Sequence, residues 1–336
     1  MESSPKSMKK TIQISIRKAL LELGSATKVE LNDYLEISFP TISKFLTQME
    51  KEGEILSAGF DNSSGGRRAK RYKYNPEHML GLAIFLEEKE INYIIFNCYG
   101  ELKDKGTNTG ISDLNSFTKC IQDITNQYSK ISSLSIGVPG SVDNERIFYI
   151  PDYKHLQNVD LKGYLEDYFS IPVVVENDMN AAVFGYYNRL KIKENKSVVY
   201  LYLGKNGPGA GTIVNGIVLR GSTNFSGEIS FVPQYDDKRF WQTLSENKMN
   251  TSPVHKDYMI DVISRLVASF TAIINPHMII FCNEEVEQET LNRIEECSSG
   301  YIPSEHLPDL ALSDWKRDYL YGLQSLGLDL MIKETV

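Results

Sequence analysis

The 336-residue chain has few cysteines and no long apolar segment. Its four cysteines are scattered, and no two of them form a Cys-x-x-Cys pair. So sparse a set argues against a disulfide framework and leaves a thiolate zinc site little to build on. No apolar run approaches the roughly 18 residues of a transmembrane helix, and the polar N-terminus does not resemble a signal peptide. We therefore expect a soluble, cytoplasmic protein with no membrane partner.

The chain also lacks a net positive charge, but its charge is unevenly distributed. The total is −8, whereas residues 1–75 hold thirteen Lys and Arg against nine Asp and Glu. That segment is therefore +4, which leaves −12 for residues 76–336. The length predicts two or three domains, and the asymmetry indicates that the N-terminal domain binds an acidic partner such as nucleic acid.

The N-terminal segment predicts three short helices. An apolar stripe from Ile12 to Leu23 indicates the first, and the capping-box pattern Thr27-Lys28-Val29-Glu30 starts the second. Ser38 is expected to cap the third helix. Pro40 fits the first turn of that helix, where the missing N–H donor of proline costs nothing. The buried face of the third helix is predicted to hold Ile42, Phe45, Leu46 and Met49.

This layout is that of a helix-turn-helix, in which the third helix enters the major groove of DNA. A glycine-rich turn with adjacent arginines follows at residues 61–68, between apolar strand patterns. Such a turn is typical of a wing, which reaches a phosphate backbone or a minor groove. The alternative is a small helical protein-interaction module with a solvated basic face. The residues predicted to bind DNA are Pro40, Thr41, Ser43, Lys44, Arg67 and Arg68.

The rest of the chain alternates apolar strand patterns with amphipathic helical ones, which predicts an α/β architecture in two lobes with a cleft. Three polar or glycine-rich stretches follow such strands, at Gly137–Ser141, Glu176–Ala182 and Gly204–Thr212. Strand ends that open into a crevice are where α/β folds bind ligands. The neighbours Asn177 and Asp178 suit the vicinal hydroxyls of a sugar, although simple helix capping is an open alternative. The third stretch could cradle a phosphate or form a plain hairpin loop.

Taken in order, these stretches resemble the ROK family of repressors, open reading frames and sugar kinases. The resemblance runs nearly the length of the chain and includes Gly227-Glu228-Ile229 and Asn275–Ile280. It implies a two-lobed, actin-like ATPase fold with a sugar site between the lobes, after the N-terminal winged helix-turn-helix of the repressor branch. It also implies that Asn177, Asp178 and Glu228 contact an effector sugar. The implied domains are residues 1–75, the winged helix; 76–178, the first lobe, completed by a C-terminal helix over 310–336; and 179–309, the second lobe.

The chain departs from the kinases of this family where they bind phosphate. Their first phosphate-binding strand carries Asp-x-Gly-x-Thr, but Ala83 and Phe85 stand at the Asp and Gly positions here. Cys282-Asn283 replaces the Gly-Gly expected after the Asn-Pro strand. Phosphoryl transfer depends on positioning and on metal-assisted charge neutralisation, so these losses predict no enzyme activity, no catalytic residue and no cofactor. Asp178, which matches the catalytic base of the kinases, is expected to serve as a sugar ligand only.

The zinc motif of the family is also missing. Kinases and many repressors follow Gly-Glu-Ile-Gly-His with a cysteine cluster. Here Phe231 replaces the histidine, and no cysteine lies between Cys120 and Cys282. We therefore expect no metal site, and an effector that differs from the usual hexoses or has been lost. Aromatic residues near the expected cleft could stack on a sugar ring, although core packing is the commoner role of any one of them; they include Tyr149, Tyr153, Phe225 and Phe231.

These observations predict a sequence-specific transcriptional regulator, most simply a repressor, of carbohydrate-utilisation genes. It would bind double-stranded DNA at a palindromic operator as a homodimer or a dimer of dimers, with a carbohydrate as effector. Two alternatives remain open. One is a sugar kinase with an atypical ATP site, and the other is a ligand-independent DNA-binding protein that keeps the fold as a dimerisation body.

Overall fold

The structure is a computed structural model that describes most of the chain. The described residues are 5–61, 68–87, 90–109, 113–143, 146–150, 156–191, 195–204, 207–235, 237–247 and 253–334. Of the two arginines predicted in the wing, Arg68 is described, whereas Arg67 lies outside the described residues.

The N-terminal unit combines three helices with a small antiparallel sheet in the order β1-β3-β2. The predicted buried face of the third helix is confirmed, because Ile42, Phe45, Leu46 and Met49 are all buried. The elements are α1 (Pro5–Leu23), β1 (Ala26–Thr27), α2 (Lys28–Leu35), α3 (Phe39–Lys51), β2 (Ile55–Phe60) and β3 (Lys70–Tyr74).

One of the two predicted helix caps forms in this unit. The Thr27 hydroxyl accepts from the Glu30 N–H, and the Glu30 carboxylate accepts from the Thr27 N–H, which is the predicted capping box of α2. The predicted side-chain cap of α3 was wrong. Ser38 occupies the N-cap position, but its hydroxyl bonds the Thr41 hydroxyl at 2.8 Å instead of a helix N–H.

The first lobe contains a five-stranded sheet in the order β10-β7-β4-β5-β6. Side chains alternate across β4 as strand geometry requires: Leu82 and Ile84 face α4 and α5, while Ala83 and Phe85 face the opposite side. The elements are β4 (Leu80–Glu87), β5 (Glu90–Asn97), β6 (Leu102–Thr109), α4 (Leu114–Gln127), β7 (Ile131–Val138), β8 (Ser141–Asp143), β9 (Arg146–Tyr149), α5 (Leu161–Phe169) and β10 (Val173–Asn177).

The second lobe contains another five-stranded sheet, in the order β13-β12-β11-β14-β15. The expectation of one helix over 310–336 was wrong at its start, because residues 309–313 form β15 parallel to β14. The elements are α6 (Asp178–Arg189), β11 (Val198–Tyr202), β12 (Gly209–Val214), β13 (Ile217–Val218), α7 (Phe240–Asn247), α8 (Pro253–Ile274), β14 (Met278–Cys282), α9 (Gln288–Ser298), β15 (Asp309–Ser313) and α10 (Trp315–Glu334).

Two helices, α6 and α10, cross between the sheets at backbone-to-backbone distance. A Cβ atom at Gly185 would overlap the carbonyl oxygen of Asp318, and one at Gly322 would overlap that of Ala181. α10 packs on β4 and β7 of the first sheet, and α6 packs on β11 and β12 of the second. The helix pair therefore joins the two lobes.

A buried carboxylate stabilises this crossing. Asp318 is fully buried and pairs with Arg189 Nε at 2.8 Å. It also accepts hydrogen bonds from the hydroxyls of Ser313 and of Tyr200, the latter at 3.3 Å. These partners supply the charge and hydrogen bonds that a buried carboxylate needs.

The N-terminal unit is attached to this two-lobed body. α1 packs on α10, and the Tyr99 hydroxyl of the first lobe donates to the carbonyl oxygen of Tyr74 at 3.3 Å. Inside the unit, Arg17 and Glu54 form an ion pair in which both residues are at most 5% exposed. In the part of the chain that the structure describes, no helix has the length and apolar character needed to cross a membrane.

Candidate functional site

A cavity of about 430 Å³ lies between the two lobes. On one side it is formed by the carboxyl ends of the parallel strands β7 and β10, which is where α/β sheets commonly bind ligands. The opposite side is formed by β11, β12 and the segment 226–231. The lining residues are Pro139, Gly140, Asn177, Asp178, Met179, Tyr202, Gly207, Pro208, Gly209, Ala210, Ser226, Gly227, Glu228, Ser230, Phe231 and Trp241. The structure thus brings together all three residues predicted to contact the sugar.

Asn177 caps α6 from the floor of the cavity. Its Oδ1 accepts from the Asn180 N–H at 2.9 Å, and its Nδ2 donates to the carbonyl oxygen of Gly140 at 2.9 Å. The helix-capping interpretation is therefore correct for this residue. Because the same side chain also holds the turn after β7, Asn177 fixes the position of two cavity walls.

Asp178, the first residue of α6, has an unusual acidity. Its Oδ1 accepts from the Met179 N–H at 2.8 Å. Burial, together with the charge of the nearby Glu228 carboxylate, raises the pKa of its carboxyl to about 7. Close to neutral pH this carboxyl is therefore protonated in part of the molecules, and it can donate as well as accept hydrogen bonds.

Glu228 reaches the cavity from a tightly constrained turn. Gly227 has φ +94°, and a Cβ atom there would overlap the carbonyl oxygen of Ala210. The Ala210 N–H donates to the Gly227 carbonyl at 2.9 Å, which fastens the turn to β12. Only glycine combines a positive φ with the absence of a Cβ atom. Gly227 therefore sets the backbone position from which Glu228 enters the cavity.

A second buried carboxylate, Glu176, supports the site from behind. It is 7% exposed and accepts from the Asn177 N–H at 3.0 Å and from Asn180 Nδ2 at 3.2 Å. It also forms an ion pair with Arg220, at the start of the segment that carries Glu228. The role of Glu176 was not predicted from the sequence, because its importance comes from a partner 44 positions away.

Aromatic side chains form one side of the cavity. Phe231, 47% exposed, lies with its ring centroid 5.3 Å from that of Phe225, which is 52% exposed. The core-packing interpretation was therefore wrong for both residues, whereas Tyr153 and the side chain of Tyr149 lie outside the described part of the structure. Trp241 and Tyr202 also line the cavity, and neither was predicted to do so. Rings of this kind bind the apolar face of a sugar by stacking.

The residues at the expected zinc position do not fit a metal. Phe231 has no donor atom, and among the described residues no three His, Cys, Asp or Glu side chains cluster in a way that could hold an ion. The two residues that replace the Asp and Gly of the first phosphate-binding strand are also apolar and buried. Ala83 is fully buried, and Phe85 is 6% exposed.

Phe85 belongs to a row of aromatic rings that runs between the lobes. Its ring centroid lies 5.5 Å from that of Tyr319, which lies 5.2 Å from that of Trp315. Trp315 in turn stacks on Tyr202 at 4.8 Å. A Cβ atom at Gly137 would overlap Tyr319, which explains the glycine there. Large rings therefore fill the space next to the altered phosphate strand.

The predicted DNA-binding residues on α3 lie near its first two turns. Pro40 and Lys44 are exposed, whereas Thr41 and Ser43 are half-buried. The Thr41 hydroxyl bonds Ser38, and the Ser43 hydroxyl accepts from Lys28 Nζ at 2.8 Å. The helix thus presents a mixed polar and basic surface at the end that a helix-turn-helix inserts into DNA.

Much of the basic charge of this unit is neutralised internally. Lys70 pairs with Glu50, and Arg71 pairs with Glu30 and Asp61. By contrast, Lys44 and the exposed Arg68 pair with no carboxylate of the described residues. Lys44 and Arg68 are therefore among the residues that keep the unit basic on its surface.

The sequence pattern of the ROK family matches residues 91–236. The chain carries a ROK family domain. The matched residues include both walls of the cavity up to Phe231 and the predicted ligands Asn177, Asp178 and Glu228. The resemblance stated from the motifs is thereby confirmed.

Relatives of the chain include a named regulator. Over 234 residues it is 26% identical to the "Xylose repressor" of Caldicellulosiruptor bescii, a match that covers 66% of this chain and 58% of that protein. The chain thus spans about three fifths of the length of the curated relative.

Two solved structures share the fold. A ROK family transcriptional regulator, a homologue of the E. coli MLC protein, superposes with a TM-score of 0.74 at 15% identity, covering 97% of this chain and 98% of that one. The ROK hexokinase from Thermus thermophilus gives a TM-score of 0.63 at 16% identity, covering 76% of this chain and 100% of its own. The predicted two-lobed fold is confirmed. The quarter of the chain that the hexokinase leaves unmatched has the size of the N-terminal unit.

Proposed function

We propose that the chain is a sequence-specific DNA-binding transcriptional regulator, most simply a repressor, that responds to a small carbohydrate. The observation that carries the proposal is the joining, in one chain, of a winged helix-turn-helix to a cleft lined by Asn177, Asp178 and Glu228. The name of the relative supports this reading and suggests xylose or a similar sugar as the first effector to test.

The proposed division of labour follows the domains expected from the sequence. Residues 1–75 bind DNA through Pro40, Thr41, Ser43 and Lys44 on α3 and through Arg67 and Arg68 of the wing. Residues 76–178 and 179–309 close around the sugar, and α10 completes the first lobe. Binding as a homodimer or a dimer of dimers would place two winged helices on a palindromic operator.

We further propose that the ROK domain has no phosphoryl-transfer activity. Support comes from the buried Ala83 and Phe85 at the altered phosphate strand, and from the rings of Tyr319 and Trp315 packed beside it. Without a carboxylate and close backbone approach at that strand, the chain has little with which to organise a triphosphate. The sugar-kinase alternative predicts sugar-dependent ATP consumption that D178N abolishes, whereas we expect no turnover with any sugar of a broad panel.

The experiment that tests the proposal is a selection of genomic DNA fragments with the purified full chain, followed by measurement of binding to the recovered fragments. We expect enrichment of a sequence with two-fold symmetry and at least tenfold weaker binding when the effector is present, as typical coupling energies allow. Enrichment of no sequence would contradict the regulator. Enrichment that no sugar alters, together with no sugar-induced thermal shift, would favour the ligand-independent alternative.

A further inference from the structure

Lys28, the first residue of α2, is held against the recognition helix. Its Nζ donates to the Ser43 hydroxyl at 2.8 Å, 15 positions further along the chain. Both side chains are half-buried at the junction of α2 and α3. Lys28 is not one of the residues predicted from the sequence to bind DNA.

The geometry of this junction is fixed by the surrounding turn. Asn32 Nδ2 donates to the Ile37 carbonyl at 2.7 Å across the α2–α3 connection, and Glu36 adopts the left-handed conformation that ends α2. Leu31 and Leu46 are fully buried between the helices. The relative position of Lys28 and Ser43 is therefore set by the core of the motif.

No carboxylate in the described part of the unit neutralises the charge of Lys28. Glu30, two residues later, is already engaged, because one carboxylate oxygen accepts from the Thr27 N–H and the other pairs with Arg71. Over the described residues, Lys28 forms no ion pair with a carboxylate. The Ser43 hydroxyl orders the Lys28 ammonium, and no described carboxylate pairs with it, so the ammonium can bind an external anion.

The helix-turn-helix geometry indicates which anion this is. The recognition helix lies in the major groove while the helix before it crosses the DNA backbone, so the start of α2 meets the edge of the groove where phosphates run. A hydroxyl that accepts from an ammonium keeps its own O–H as a donor. Lys28 and Ser43 can therefore direct donors to one phosphate.

We infer that Lys28 binds a DNA backbone phosphate and that Ser43 orders the Lys28 ammonium for this contact instead of reading a base. The inference rests on the proposed DNA-binding function. In this arrangement the Lys28–Ser43 pair contributes to affinity and to the position of the protein along the DNA. Other side chains of α3 recognise the bases. Phosphate contacts position a protein on the duplex, whereas base contacts specify the sequence.

The test measures the affinity of the full chain for two fluorescein-labelled duplexes over a range of salt concentrations. One duplex is a recovered genomic fragment, and the other is a random sequence of equal length. K28A should flatten the slope of log K against log salt by about 0.9, the value for one lost phosphate contact, and K28R should retain the slope. The control K51A removes the same charge from the exposed last residue of α3, about 12 Å beyond Ser43, and should leave the slope unchanged.

S43A distinguishes ordering from base reading. It should weaken binding to both duplexes by the same factor, about threefold to tenfold, which corresponds to one hydrogen bond. In the K28A background the S43A change should have no further effect. As a control, circular dichroism melts of each variant test whether the protein stays folded.

Three results would overturn the inference. If K28A and K51A show the same slope of log K against log salt, Lys28 does not contact a phosphate. A change in base preference at one operator position in S43A would make Ser43 a base reader, and additive effects in the double variant would separate the two residues. Failure of the unchanged chain to bind either duplex would instead overturn the proposed function, and the inference with it.

Discussion

Tyr202 and Trp315 stack with their ring centroids 4.8 Å apart and their planes 28° apart. Tyr202 ends β11 and lines the cavity, whereas Trp315 is the first residue of α10. The same helix also packs on α1 of the winged-helix unit. The stack therefore places the proposed effector site in direct contact with the helix that reaches the proposed DNA-binding unit.

The two tryptophans of the chain should report separately on sugar binding. Trp241 lines the cavity and is 38% exposed, while Trp315 is 7% exposed in the aromatic row. A sugar that covers the Trp241 indole displaces water from it, so its emission should shift to shorter wavelength. We expect the shift in the unchanged protein and in W315F, and its loss in W241F, on titration with each sugar that raises the melting temperature. A shift that survives W241F and disappears in W315F would place the ligand elsewhere.

The raised pKa of Asp178 predicts a specific dependence of stability on pH. The folded-state pKa of about 7 lies above the ordinary value of 3.8, so the folded protein binds this proton more tightly than the unfolded chain. The resulting stabilisation is fully present below about pH 4 and is lost as pH rises through about 7. D178N keeps a neutral group and should not show this loss, so it should be the more stable form above pH 7. Urea denaturation of both proteins between pH 4 and pH 8 measures the difference.

A second variant checks the cause of that dependence. Removing the neighbouring charge with E228Q should lower the pKa of Asp178, because the Glu228 carboxylate raises it. The decline in the free energy of unfolding should still begin near the unfolded-state pKa of 3.8, but it should end at lower pH and be smaller in total. An unchanged profile in both D178N and E228Q would contradict the assignment of the titration to this pair.

The crossing of α6 and α10 should tolerate no added side-chain atom. G322A places a Cβ atom into the Ala181 carbonyl, so the two helices must separate. We expect a loss of about 1–3 kcal/mol in the free energy of unfolding, the usual cost of overpacking. D329A, a change at an exposed position of the same helix, removes only a surface ion pair with Lys333 and should cost under about 0.5 kcal/mol. Equal denaturation midpoints for the two variants would refute the close crossing.

The buried Arg17–Glu54 pair predicts an asymmetric response to mutation. R17M leaves the Glu54 carboxylate buried, and the partner that remains to it among the described residues is the Tyr74 hydroxyl at 3.1 Å. Breaking such a pair typically costs about 3–5 kcal/mol, while replacing both partners with apolar residues is often neutral. We expect R17M to unfold the winged helix at moderate urea concentrations and R17M/E54M to recover most of the loss. A double variant as unstable as R17M would show that the ion pair itself stabilises the unit.

Local signals in the sequence predicted much of the fold, and the misses have physical reasons. The capping box at Thr27 and the buried face of α3 depend on neighbouring residues and could be predicted. The edge strand β6 (Leu102–Thr109) could not, because its residues are mostly polar and it is held by pairing with β5. The start of β15 was missed since its five residues gain their strand structure from pairing with β14.

Some residues of the candidate site were predicted from the sequence, and others were not. Asn177, Asp178 and Glu228 were predicted from motifs, and the structure places them in one cavity. Trp241 and Tyr202 were not predicted, because each reaches the cavity through the packing of an element distant in sequence. The exposed position of Phe231 at the cavity could not be predicted either. The chain has 14 phenylalanines, and the sequence alone does not distinguish a ring at a cavity from one in the core.

The position of α10 also affects how the chain folds. One face of the first-lobe sheet, including Ala83 and Phe85, is covered by a helix that the ribosome makes long after the sheet itself. Until α10 emerges, that apolar face is open to water and to other nascent chains. We therefore expect folding of the first lobe to be slow and governed by long-range contacts, and expect truncation within α10 to yield aggregation in place of a smaller functional protein.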